Sequence, residues 1–167
     1  MRYIGLPSSM RKWFGMSTIV NGSGELYATR IWLGRLRLHI FYRGDTAPDP
    51  HDHPWPFWTF PLTSYWEEKY YPMEEHGWVY SYKFVRRFRL HYRSARYTHR
   101  VLGRAALEPG DEGFCYARAV LSDKPIVTVV WRGRSERTWG FLRRRNGQWC
   151  WTDWRDYIFG GGRDAPC

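Results

Sequence analysis

A chain of 167 residues is long enough for one domain with a sizeable core, and with aromatics at 19% it can fill that core with few, large side chains. Its net charge of +10 is carried almost wholly by arginine, since only Lys12, Lys69, Lys83 and Lys124 of the 26 basic residues are lysine, and such a surface favours anionic partners, nucleic acid and nucleotides among them. No apolar run reaches membrane-spanning length and the opening is broken by Gly, Pro and charge, so a membrane span and a secretory leader are not expected and a soluble, cytoplasmic protein is.

Residues 1–16 form an N-terminal segment with weak helical periodicity around 8–16. After the Gly-rich stretch 21–24, strand signals take over. Residues 25–33 and 35–43 are rich in β-branched and aromatic side chains. In the second, Leu36, Leu38, Ile40 and Tyr42 alternate with Arg35, Arg37, His39, Phe41 and Arg43, the period of a half-buried strand. A loop by composition follows at 44–50. Further short strands are predicted over 55–62, 64–71, 78–92, 97–102, 125–131, 137–142 and 148–154. Many short strands without intervening helices predict an all-β sandwich or barrel of jelly-roll type, a single domain over 17–159. Residues 160–167 read as a flexible tail. Cys115, Cys150 and Cys167 are far apart with no CxxC spacing, which predicts reduced thiols rather than a disulfide scaffold or a zinc knuckle.

The stretch DPHDHPWPFW, residues 49–58, carries the chemistry. On an extended strand alternate side chains share a face, so His51 and His53 project together, followed by Trp55, Phe57 and Thr59, while Asp52 points away. Two imidazoles at this spacing can ligate one ion without bending the chain. Pro50, Pro54 and Pro56 restrict φ around the pair and lower the entropy lost on capturing it. A third donor comes from elsewhere: His99 lies 48 residues beyond His51, with Tyr97 and Val101 as its face-mates.

This pattern resembles the cupin superfamily, small jelly-roll barrels in which an HxH pair on one strand is completed by a later histidine across the barrel. PHDHPWPFW matches the first motif and ARYTHRV the second. More narrowly, the succession LHIFYRGD, HDHPW, YWEE, YTHRV and WGF resembles short cupin-like proteins of phage or bacterial origin, over about residues 35–155; if viral, the expected compartment is the host cytoplasm. The resemblance implies a divalent ion, Fe(II) first and Zn, Mn or Ni as alternatives, and oxygenase-type chemistry on a small anionic substrate, with isomerase or lyase activity also seen on this fold. Two family features are missing. Phe57 stands where a glutamate follows the pair, and SARYTH stands where a PxG precedes the last histidine. The fourth ligand therefore stays open among Glu67, His39 and water. Arg37, Arg43 and Tyr97 are the candidates for holding the substrate.

The rival reading is a non-enzymatic barrel that binds nucleic acid or a protein partner. Arg86, Arg87 and Arg89 alternate with Phe88 and Leu90, as an arginine ladder on one strand face would. A second basic group spans 131–145. The bland counterparts are a solvated strand face and aromatics that fill the core. No P-loop, nucleophile elbow or triad signature is present. Strand edges leave room for a homodimer.

Overall fold

The computed structural model describes residues 2–3, 13–20, 24–74 and 77–167. Among the described residues, thirteen strands and one short helix follow in order: β1 (Arg2–Tyr3), β2 (Phe14–Val20), β3 (Leu26–Leu33), β4 (Leu36–Phe41), β5 (Phe57–Pro61), β6 (Tyr65–Met73), β7 (Gly77–Val85), β8 (His91–Arg93), β9 (Thr98–Ala105), β10 (Leu121–Ser122), β11 (Ile126–Arg132), β12 (Gly140–Arg145), β13 (Gln148–Asp153) and α1 (Trp154–Phe159). The fold is all-β, as the sequence predicts. Two-residue turns fix several registers. Gly34, at φ 58°, joins β3 to β4 with Leu33 opposite Leu36, and Asn146-Gly147, at φ 50° and 82°, joins β12 to β13 with Arg145 opposite Gln148.

Seven strands form one antiparallel sheet in the order β1-β2-β3-β4-β11-β5-β8. A second runs β10-β9-β6-β7, with β12-β13 as a hairpin. His51 bridges to both His99 on β9 and Phe141 on β12, so the histidine segment stitches that hairpin to the second sheet. With this segment counted as a strand, β4-β11-β5-β8 faces His51 segment-β9-β6-β7. The chain crosses between the two layers in the manner of a jelly roll.

Directly paired residues of an antiparallel ladder share a face. One closed apolar cluster fills one end of the space between the sheets, formed by Tyr65, Val85, Val101 and Ile126 with Phe41 packed against them. Away from that end the first sheet turns polar side chains inward. One register row reads Arg30, His39, Thr128, Pro61; the next Trp32, Arg37, Val130, Thr59, His91; the next Arg132, Phe57, Arg93. Thr59 and Thr128 bond to each other across the first two rows at 2.6 Å. The space between the sheets is thus an apolar core at one end and a polar lumen at the other.

Four local expectations are corrected. Phe14–Val20 is a strand whose β-branched run pairs with β3, so the helix expected around 8–16 does not cover residues 14–16; residues 8–12 lie outside the described residues. The single strand expected over 78–92 breaks after Val85. Phe88 takes a left-handed φ of 56° and gives its N–H to Pro61, which turns the chain back to β8. Residues 154–159 form α1, capped by Asp153, whose side chain accepts from the Arg155 N–H. Cys150 is bonded to Cys167, and only Cys115 is free. The tail folds back to make that bond, a closure that spacing in the sequence could not reveal. Arg143 and Arg145 also hold the carbonyls of Ala165 and Arg163, each at 2.6 Å. No helix among the described residues is long and apolar enough to cross a membrane.

Candidate metal centre

The histidine segment is held from both sides by backbone bonds. His51 and His99 exchange N–H···O bonds of 2.9 and 3.0 Å, which is why their side chains emerge side by side. His53 N–H reaches Ala95 O at 3.0 Å. The prolines donate nothing, yet their carbonyls are used. Pro50 accepts from Leu142, Pro54 from Glu136 and Pro56 from Gly133 at 2.7–2.9 Å. A Cβ at Gly133 would stand 2.8 Å from the Pro56 oxygen, so this approach needs glycine.

Asp52 points away from the histidines, as strand alternation requires, and it anchors the segment. It accepts from Gly140 N–H at 2.8 Å and Trp151 Nε1 at 2.9 Å, and also from Arg137. Three residues earlier, Asp49 accepts from Arg145 and from the Tyr157 hydroxyl, each at 2.9 Å. The aspartates therefore tie the segment to β12, β13 and α1, and the His51 and His53 imidazoles are left facing the lumen.

His51, His53 and His99 each offer a nitrogen to a group whose atoms lie within 4.8 Å of one another. The ring centroids form a near-regular triangle of 5.0, 5.0 and 5.3 Å. His53 Nε2 and His99 Nε2 stand 3.0 Å apart, about the separation of two adjacent nitrogens on one ion at ~2.1 Å. Burial, ahead of any charge, lowers the His51 imidazole to about 4, with Asp45 pulling the other way. Burial and then the neighbouring His99 and His51 rings hold His53 well below its ordinary value. Both are neutral near pH 7, the form that ligates.

Behind two of the three rings stand carboxylates. Glu67, fully buried on β6, lies 2.9 Å from His99 Nδ1. Asp45 Oδ2 lies 3.5 Å from His51 Nδ1 and accepts from the Val101 N–H at 2.7 Å; Tyr27 donates to its other oxygen. A carboxylate on the far nitrogen fixes the ring and turns Nε2 outward, the usual support of a metal-binding histidine. Glu67 also accepts from Arg93 at 3.0 Å and from the Tyr97 hydroxyl. Burial alone would raise its carboxyl, but the His99 ring, Arg93 and Tyr97 outweigh that and hold it at about 2.

The sequence-predicted residues separate accordingly. His51, His53 and His99 come together. Glu67 stands behind His99 with its oxygens already engaged, in place of the ligand position considered for it. His39 faces the lumen from β4, outside the donor group; burial, then Arg30 and Arg37, lowers it to about 3. Arg37 lies on the inner face. Arg43 does not, its guanidinium being paired with Glu25 at the surface. Tyr97 packs 5.3 Å from the His99 ring and spends its hydroxyl on Glu67, so it braces the site. Phe57 fills the position where a carboxylate was missed, its ring 4.7 Å from His53. Arg86, Arg87 and Arg89 lie on the 86–90 turn instead of a strand ladder, and Arg87 pairs with Glu108 at 3.1 Å. Asp45 was not foreseen, and Arg93 and Arg132 were read only as members of basic runs; strand register brings the two arginines to the lumen.

The three-histidine cluster and its carboxylate supports thus define an all-β jelly roll with a candidate metal centre in its lumen. No family model matches the sequence, and no curated protein sequence matches it. Among solved structures, the crystal structure of Fe(II) HppE is similar at TM-score 0.47 and 9% identity, over 78% of this chain and 62% of that one. Fe(II)-HppE with the alternative substrate (S)-1-HPP gives TM-score 0.45 and 9% identity, over 70% and 54%. DMSP lyase DddQ from Ruegeria pomeroyi DSS-3 gives 0.34 and 16%, over 80% and 54%. The chain therefore spans between about half and three fifths of the length of these proteins.

Proposed function

We propose that the protein is a cupin-like, metal-dependent enzyme in which His51, His53 and His99 hold one divalent ion and a small anionic molecule reacts beside it. The observation that carries this reading is the convergence of three imidazole donors within 4.8 Å in a lumen that keeps His51 and His53 neutral. Fe(II) is the first choice, with Zn, Mn or Ni as alternatives, because three nitrogens leave positions open to substrate on any of them. The bound ion would supply Lewis acidity and, as iron, the oxygen chemistry of an oxygenase.

The chain's own residues have separate tasks. Glu67 keeps His99 in one tautomer, with Nε2 facing the lumen. Asp45, 3.5 Å from His51 Nδ1, places a carboxylate on the corresponding side of that ring. Phe57, Trp139 and Phe141 pack around His51 and His53 at ring distances of 4.7–6.1 Å and limit water at the donors. Inward arginines favour an anion in the lumen.

Purified protein, or metal-stripped protein reloaded anaerobically, is expected to hold about one equivalent of metal by elemental analysis. His51→Ala combined with His53→Ala is expected to remove it. A parent protein that retains none of the four ions, or a double variant that retains its metal, overturns the reading.

A further inference from the structure

The wall opposite the histidine triad carries charge that the metal centre does not use. On the inner face of the first sheet Arg37 pairs in register with Val130, and Arg132 lies two residues further along β11, so both belong to the same face. Arg132 is directly opposite Phe57, whose ring touches His53. We propose that Arg37 and Arg132 form a clamp for an oxyanion, a carboxylate or phosphoryl group, on the small molecule that reaches the histidine triad; this rests on the metal-site reading above and names the substrate class for it.

Three observations support the clamp. First, among the described residues neither guanidinium is paired with a carboxylate, although Arg93 on the same face is paired with Glu67. Second, each sits over an indole, Arg37 at 5.4 Å from the Trp32 ring and Arg132 at 4.9 Å from Trp55, a contact that restrains the guanidinium without spending its hydrogen-bond donors. Third, the Arg132 Nε is buried and has no hydrogen-bond partner. A buried donor left unmade costs free energy, and two unneutralised guanidiniums on one wall add their repulsion. The mutual charge is felt: burial first, then Arg132 and Arg30, lowers Arg37 to about 10. A bidentate oxyanion satisfies the forks and the charge together, a match that the planar guanidinium makes and an ammonium does not. Arg43 is excluded because Glu25 holds it outside the lumen.

The test uses inorganic phosphate and malonate as probes, with chloride as the reference anion, followed by calorimetric titration and thermal melting of the full chain. One or both probes are expected to bind, and whichever does names the phosphoryl or the carboxylate class. Arg37→Met and Arg132→Met are each expected to weaken that binding about tenfold or more, as loss of a charge-assisted pair does. Arg43→Met is expected to leave it unchanged. Without ligand the two lumen variants should melt no lower than the parent, since each removes a like charge from a crowded wall; an arginine that served only packing would lower the melt. Arg37→Lys keeps the charge if the methionine variant fails to fold, and it should still lose affinity for malonate because the fork is gone. Binding of neither probe, or equal loss in Arg43→Met, overturns the clamp. Metal content keeps the two readings apart. A parent that takes up metal while the arginine variants bind both probes normally sinks the clamp alone. A parent without metal whose anion binding still depends on Arg37 and Arg132 leaves the clamp and removes the metal reading.

Discussion

The two faces of the seven-stranded sheet are inverted relative to an ordinary half-buried sheet. Its outer face carries Leu33, Leu36, Trp131, Trp58 and Tyr92 in one register row, all exposed, with Ile31, Leu38, Val129 and Phe60 in the next. Its inner face carries arginines, His39 and a hydrogen-bonded threonine pair. Burial of apolar surface would favour the opposite arrangement. The difference teaches that the space between the sheets is not all core. The apolar cluster around Ile126 closes one end, and the remainder is a polar chamber whose groups must satisfy one another or a guest.

The sharpest way to break this comparison is at its most buried charge. Glu67→Gln leaves the Arg93 guanidinium, 3% exposed, without its carboxylate. The expected loss is about 3–5 kcal/mol in chemical unfolding. Metal affinity is expected to fall about 10- to 100-fold, because His99 loses the partner that orients it. An unchanged unfolding midpoint would show that the lumen is wetter than its geometry implies.

Acid provides a second, smaller lever. The folded state holds the His39 imidazole at about 3 against an ordinary 6.5, so the unfolded chain binds the proton more readily. Its contribution to stability is complete above about pH 6.5 and is lost as the pH falls from there towards 3, with a slope of about 1.4 kcal/mol per pH unit for one proton. His39→Asn should flatten the acid limb of a stability–pH curve, measured on metal-free protein, by that one proton. A curve that keeps its full slope would place His39 in contact with solvent.

The smallest effects are expected on the outer face. Trp58→Ser and Trp131→Thr should each change unfolding free energy by less than about 1 kcal/mol and leave metal content intact, since both rings already stand half in water. A large loss at either position would show that the outer face is covered.

The same inversion shows how far the sequence could be read. The alternation over residues 35–43 was plain, and so was a strand with two unlike faces. Hydropathy did not say which face looked into the lumen, because it records that the faces differ and nothing about what lies opposite. His51, His53 and His99 were legible because ligation by a strand demands a fixed spacing and a distant third ring. Glu67 was legible as a participant but not in its role, since the register between β6 and β9 contains an irregularity after Trp66. Asp45 and Arg132 left no local signal: Asp45 matters because the loop turns it back on His51 and against the Val101 N–H, and Arg132 because register sets it opposite Phe57, 75 residues away. The arginine run at 86–89 misled for the converse reason: composition favoured a continuous strand, and a single left-handed residue, Phe88, ended it.

The end of the chain works as a strap. Cys167 is fastened to Cys150, the Arg163 and Ala165 carbonyls are gripped by Arg145 and Arg143, and Arg145 in turn holds Asp49 at the foot of the histidine segment. Whatever is done to the last few residues is therefore transmitted to the imidazoles. Removal of residues 163–167, or a reducing buffer, loosens the buckle by which the triad is kept taut.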